Sequence, residues 1–73
     1  MAGELANRLR DLRAERDLTQ AALAEQVGVS RKTINTVENG IFIPSTVLAL
    51  KLARALGEPV EAIFTLVSDD QEL

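Results

Sequence analysis

Helix punctuation recurs along the whole chain and limits what it can become. Thr19, Ser30 and Ser45 each stand just before an apolar-periodic run, and Gly28, Gly40 and Gly57 each close one. A Ser or Thr hydroxyl accepts one of the free amides at a helix start. Glycine takes the left-handed conformation that ends a helix at little cost. Such punctuation predicts several short helices. The longest uninterrupted apolar stretch is only a few residues, far below the ~20 needed to span a bilayer.

The periodicity fills in the elements. Leu5, Leu9 and Leu12 form the stripe of a first helix from Glu4 to Arg16, broken at Asp17-Leu18. Thr19 caps a second, Gln20 to Val27, and Ser30 a third, Arg31 to Asn39. Ile41-Phe42-Ile43-Pro44 reads as an extended connection, because a residue before proline avoids the helical region. Its apolar side chains are expected to cover part of the core. Ser45 caps a fourth helix, Thr46 to Leu56, with Leu48, Leu52 and Leu56 at helical spacing. Glu58-Pro59 opens a fifth, with Val60, Ile63 and Phe64 on its apolar face. The fold class is therefore all-α, five helices. One domain spans 1–67, and an acidic tail spans 68–73, where Asp69, Asp70 and Glu72 lack the spacing of a calcium loop.

Composition removes whole classes of chemistry. The 73 residues contain no Cys and no His, so no disulfide, zinc finger, thiol nucleophile or imidazole base is available. No Gly-rich phosphate loop is present either, and no catalytic centre, metal site or cofactor is expected. Trp and Tyr are absent, which argues against stacking of single-stranded bases. Met1-Ala2-Gly3-Glu4 lacks the basic and apolar regions of a signal peptide, and a cytoplasmic, nucleoid-associated location is expected.

The net charge of −3 is unevenly distributed. All 8 basic residues lie at or before Arg54, where 6 acids accompany them, a balance of +2. The remainder carries 5 acids and no base. Binding responds to the local field, so an acidic chain can still hold a DNA-binding face.

The segment Gln20 to Asn39 reads QAALAEQVGVSRKTINTVEN. Leu23, Ala24 and Val27 supply the inner face of one helix, and Val29, Ile34 and Val37 that of the turn and the next. Ala24 is small where two helices cross, and Gly28 supplies the backbone angle of the turn. These are the requirements of a helix-turn-helix. The turn projects the start of the third helix outward, with Ser30, Arg31, Lys32, Thr33, Asn35 and Thr36 largely off the core. Arg and Lys can donate to guanine and Asn to adenine in the major groove.

With these residues in place the chain resembles the DNA-binding domain of lambda-repressor/Cro-like (Xre) regulators, including small stand-alone repressors. The resemblance runs from about Leu5 to Leu66. Its most specific pieces are Leu18-Thr19-Gln20, Leu23-Ala24, Gly28-Val29-Ser30, Thr33-Ile34, Glu38-Asn39-Gly40, Pro44-Ser45 and Leu50-Lys51-Leu52-Ala53. It implies that Arg31, Lys32 and Thr36 read bases, with Ser30, Thr33 and Asn35 in supporting or variable contacts. It implies phosphate contacts from Gln20 and Asn39, and an ion pair between Arg13 and Glu38. One departure is plain: the loop after Gly40, often basic or polar in relatives, is Ile41-Phe42-Ile43 here.

The function expected is sequence-specific binding of double-stranded DNA at an inverted-repeat operator, as a homodimeric transcriptional repressor. The alternative is an antitoxin-type module whose partner is a toxin protein, although only a short tail is available to neutralise one. A protein inducer would also fit so small a chain. The second and third helices must face DNA, so the dimer contact is expected on Ile63, Phe64, Leu66 and Val67. Leu66 and Val67 suit extended pairing with a symmetry mate or with the N-terminus.

Overall fold

The computed structural model describes residues 4–67. The acidic tail, and Met1 to Gly3 of the leader reading, lie outside the described residues. The elements in chain order are β1 (Leu5–Asn7), α1 (Leu9–Glu15), α2 (Gln20–Val27), α3 (Arg31–Glu38), α4 (Thr46–Leu56), α5 (Val60–Ile63) and β2 (Phe64–Leu66). Thr19, Ser30 and Ser45 cap α2, α3 and α4 by accepting the amides of Ala22, Thr33 and Leu48. Gly28, with φ of 77°, ends α2 in the left-handed region. A Cβ added there would meet nothing within 4 Å, so the requirement for glycine is conformational rather than spatial.

The mostly helical class holds, with one addition that corrects both ends. The first helix starts at Leu9, not at Glu4, and Leu5–Asn7 is a strand. The fifth helix is a single turn, and Phe64 leaves it as the first residue of β2. The two strands pair antiparallel, Leu5 opposite Leu66 and Asn7 opposite Phe64. Of the two pairings open to the Leu66 segment, the chain's own N-terminus takes one edge of it. The ribbon is extended at each end by Val67 N–H donating to Glu4 O at 2.9 Å and Arg8 N–H to Ile63 O at 2.8 Å. Asn7 then turns the chain into α1. Its Oδ1 accepts from Leu9 N, and its Nδ2 donates to Val37 O at the end of α3, each at 3.0 Å.

The core draws on every helix. Leu9, Leu12, Leu23, Val27, Ile34, Val37, Leu52, Leu56 and Ile63 are buried in one cluster, and Leu5, Val29 and Val60 pack against it half-exposed. Each fully buried aliphatic side chain contributes about 1.5–3 kcal/mol relative to exposure. The expected cover from Ile41, Phe42 and Ile43 is not found. All three are exposed, because the amides of Ile41 and Phe42 both return to Thr36 O and turn the loop outward along α3. Arg16 fastens α1 to the end of α4, donating to Leu56 O and Glu58 Oε2, each at 2.8 Å, and to Leu12 O at 2.9 Å. Among the described residues, no helix is long and apolar enough to cross a membrane.

Candidate nucleic-acid interface

The inner faces of α2 and α3 close on each other through Leu23, Ala24 and Val27 against Ile34 and Val37. The turn between them is held by the amides of Gly28 and Val29, which donate to Ala24 O at 2.8 and 3.0 Å. With Ile34 and Val37 inside, the rest of α3 faces outward.

The outward residues divide by what they already do. Ser30 Oγ accepts from Thr33 N at 3.1 Å and shares a hydrogen bond with Thr33 Oγ1 at 3.0 Å. Thr36 Oγ1 donates to Thr33 O at 3.0 Å. The Ser30 hydroxyl caps the helix, and that of Thr36 is turned back onto the helix backbone. Arg31 and Lys32 differ: both are exposed, and neither side chain forms a hydrogen bond or ion pair among the described residues. Asn35 is exposed too, and Asn39 Nδ2 donates to its carbonyl at 2.9 Å and its Oδ1 at 3.3 Å.

Behind this face lies a charge cluster. Arg13 Nε donates to Glu38 Oε2 at 2.6 Å and Arg13 Nη2 to Glu38 Oε1 at 3.2 Å, a two-bond fork. Arg13 Nη1 also donates to Leu18 O at 2.8 Å, at the entry to α2. Gln20 Nε2 donates to Glu38 Oε1 at 3.0 Å, so part of its amide is turned inward. The Glu38 side chain is 0% exposed and that of Arg13 15%. Burial pushes the Glu38 carboxyl upward. The hydrogen bonds from Arg13 and Gln20, the Arg13 charge and the bond from Arg10 outweigh it, and the carboxyl stays below its ordinary value. The cluster thus joins α1, the start of α2 and the end of α3, and fixes the pose of the helix-turn-helix.

Sequence reasoning missed Arg10. Its Nη2 donates to Asn39 Oδ1 at 2.9 Å, and its Nε lies 3.4 Å from Glu38 Oε1. The available signal was its place three residues before Arg13, on the same side of α1. Arg16 carried no such signal, since its acceptor on α4 becomes a neighbour only through tertiary packing.

The expected dimer residues separate into two pairs. Ile63 is 0% exposed and Phe64 is buried beside it, so both pack into the monomer core, with Phe64 showing only the edge that lines a groove. The physical reason is the single-turn α5, which aims both inward before the chain straightens. Leu66 is 80% exposed, and Val67 is exposed as well. Near them an open apolar groove of about 630 Å³ runs between Leu5, Ile43, Pro44, Leu50, Val60 and Phe64.

Two helices crossing through a glycine turn, with the second presenting exposed cations, define a helix-turn-helix DNA-binding protein. The helix-turn-helix family model matches residues 9–63. The chain belongs to the lambda-repressor-like (Xre) helix-turn-helix family of transcriptional regulators. It is 52% identical over 62 residues to an uncharacterised HTH-type transcriptional regulator of Methanothermobacter thermautotrophicus, covering 84% of this chain and 90% of that one. Among solved structures it is similar to the restriction-modification controller protein C.AhdI of Aeromonas hydrophila, with 40% identity and a TM-score of 0.71 over 75% of this chain and 80% of that one. It is similar as well to the P22 c2 repressor in complex with a synthetic operator, with 33% identity and a TM-score of 0.72 over 74% and 82% of the two chains.

Proposed function

We propose that this regulator represses transcription in the cytoplasm by binding an inverted-repeat operator in double-stranded DNA as a homodimer. Its α3 enters the major groove. Arg31, Lys32 and Thr36 read bases, Ser30, Thr33 and Asn35 support them, and Gln20 and Asn39 hold the flanking backbone. The observation that carries this reading is the outward strip of α3. There Arg31 and Lys32 stand exposed without a partner among the described residues, while Ile34, Val37 and Glu38 fix the same helix from behind. A cation left free on a helix braced this firmly is suited to an external acceptor, and guanine O6 and N7 supply one.

Two copies are needed because one helix spans too few base pairs for useful specificity. Two-fold pairing sets two recognition helices about 34 Å apart on one face of the duplex. Leu66 and Val67, rather than the buried Ile63 and Phe64, are the apolar contacts of that pairing. Selection from random duplex DNA followed by footprinting tests the reading. It requires two half-sites in inverted repeat, with centres about one helical turn apart. Full affinity for a single unrepeated site, or no sequence preference at all, would refute it.

A further inference from the structure

The cluster behind α3 holds one more positive charge than it uses. Arg10 and Arg13 both approach Glu38, but Arg13 takes the carboxylate at 2.6 Å and is nearly buried. Arg10 lies at 3.4 Å, its side chain 58% exposed. One carboxylate cannot neutralise two guanidinium groups, so the surplus charge sits on the exposed partner. That charge is also held still. Arg10 Nη2 donates to Asn39 Oδ1 at 2.9 Å, and Asn39 is itself tied back to Asn35 on the outward face of α3. A polar chain therefore runs from the recognition helix to a cation on α1, at the C-terminal end of α3, where the helix dipole favours positive charge.

The surroundings need such a cation. From Thr33 to Leu50 the sequence contains no Lys or Arg, and the loop that leaves α3 is Ile41-Phe42-Ile43. With α3 in the major groove, its C-terminal end and that loop come beside a sugar–phosphate strand, yet they bring no positive side chain of their own.

We infer that Arg10 supplies the missing contact, reaching a backbone phosphate from α1 while Asn39 and Glu38 hold its guanidinium in place. This rests on the DNA-binding reading above. Asn39 Oδ1 then acts through Arg10 as an orienting acceptor. The contact carries no sequence information: it fixes register and orientation, as phosphate contacts do.

The test measures duplex affinity against salt concentration for the full chain, on the selected operator and on an unrelated duplex. Each phosphate neutralised contributes about 0.9 to the slope of log K against log salt. Arg10→Gln should lower that slope by about 0.9 per bound protomer and weaken both duplexes by the same factor. Arg10→Lys keeps the charge and should retain nearly the wild-type slope. Glu38 keeps Arg13 and Gln20 in either variant, so thermal melting should show both folded. A wild-type slope in folded Arg10→Gln overturns the inference. So does a loss confined to the operator, or an Arg10→Lys slope as low as that of Arg10→Gln. A wild-type chain that binds no duplex overturns the DNA-binding reading itself, an outcome distinct from these.

Discussion

Removing either side of the Arg13–Glu38 fork should destabilise the domain severely, and the two losses should not add. Glu38 is fully withdrawn from solvent and Arg13 nearly so, with bonds of 2.6 and 3.2 Å between them. Arg13→Met leaves a buried carboxylate with only Gln20 at 3.0 Å and the more distant Arg10. Stranding one partner of a buried pair costs about 3–5 kcal/mol, and those remaining donors place this case at the lower end. Glu38→Gln keeps the shape and removes the charge. Arg13 retains Leu18 O, so about 2 kcal/mol is expected for its weakened charge-assisted bonds. Together the changes should cost less than their sum by about 1–3 kcal/mol. Denaturant melts of wild type, both single variants and the double variant give this coupling. Against a total stability near 5 kcal/mol for so small a domain, Arg13→Met should keep only about 2 kcal/mol, with a few per cent of chains unfolded at room temperature. The same group makes a pH prediction. The folded carboxyl lies below its ordinary value, so on acidification the unfolded chain takes up this proton first. Stability from Glu38 is therefore complete above the ordinary glutamate range and is lost as pH falls through the folded value. The acid limb of the stability profile should be shallower in Glu38→Gln. Strict additivity in the cycle, with an unchanged acid limb, would refute the reasoning.

Three further substitutions probe separate parts of the chain. Gly28→Ala forces a side chain into φ of 77° with no compensating contact, so about 1–2 kcal/mol of stability should be lost. That loss should lower Tm by several degrees without altering operator preference, and calorimetry showing an unchanged Tm would contradict it. Arg31→Ala and Lys32→Ala should leave Tm within a few degrees of wild type, since neither side chain has a partner to lose among the described residues. In binding titrations each should either relax one base position, by about 1–3 kcal/mol, or weaken all sequences alike. Unaltered binding in both would move the recognition surface elsewhere. Leu66→Asp with Val67→Asp should give a folded monomer in sedimentation, or partial unfolding on dilution, with operator affinity lost in either case. A variant that stays dimeric and binds normally would shift attention to the exposed Ile41, Phe42, Val47 and Leu50.

What was legible in the sequence follows from the range of each interaction. Caps act over three residues, so Thr19, Ser30 and Ser45 marked three helix starts to the residue. Helical periodicity acts over a turn or two, and it identified Leu9, Leu12, Leu23, Ile34, Leu48 and Leu52 as core. Leu5 also falls on the helical spacing of Leu9 and Leu12, yet it lies in a strand. The competing partner is Leu66, sixty-one residues away in the chain, and no local pattern reports such a pairing. Phe64 misled in the same manner: helical spacing put it on α5, and the ribbon pulled it into β2.

The same distinction of range separates the two halves of the candidate site. Arg31 and Lys32 were readable because a capped helix with Ile34 and Val37 inside must turn its other residues outward. The roles of Gln20 and Arg10 were not readable from periodicity, because Glu38 decides them, and Glu38 lies 18 residues from Gln20 and 28 from Arg10. That carboxylate gathers donors from two other helices onto the end of α3. A residue can be assigned to the outward face from its own helix. Whether it is free to meet DNA depends on what the rest of the fold has already placed against it. By that criterion Arg31 and Lys32 are open, Gln20 is partly committed to the scaffold, and Arg10, outside the helix-turn-helix altogether, is drawn to its edge.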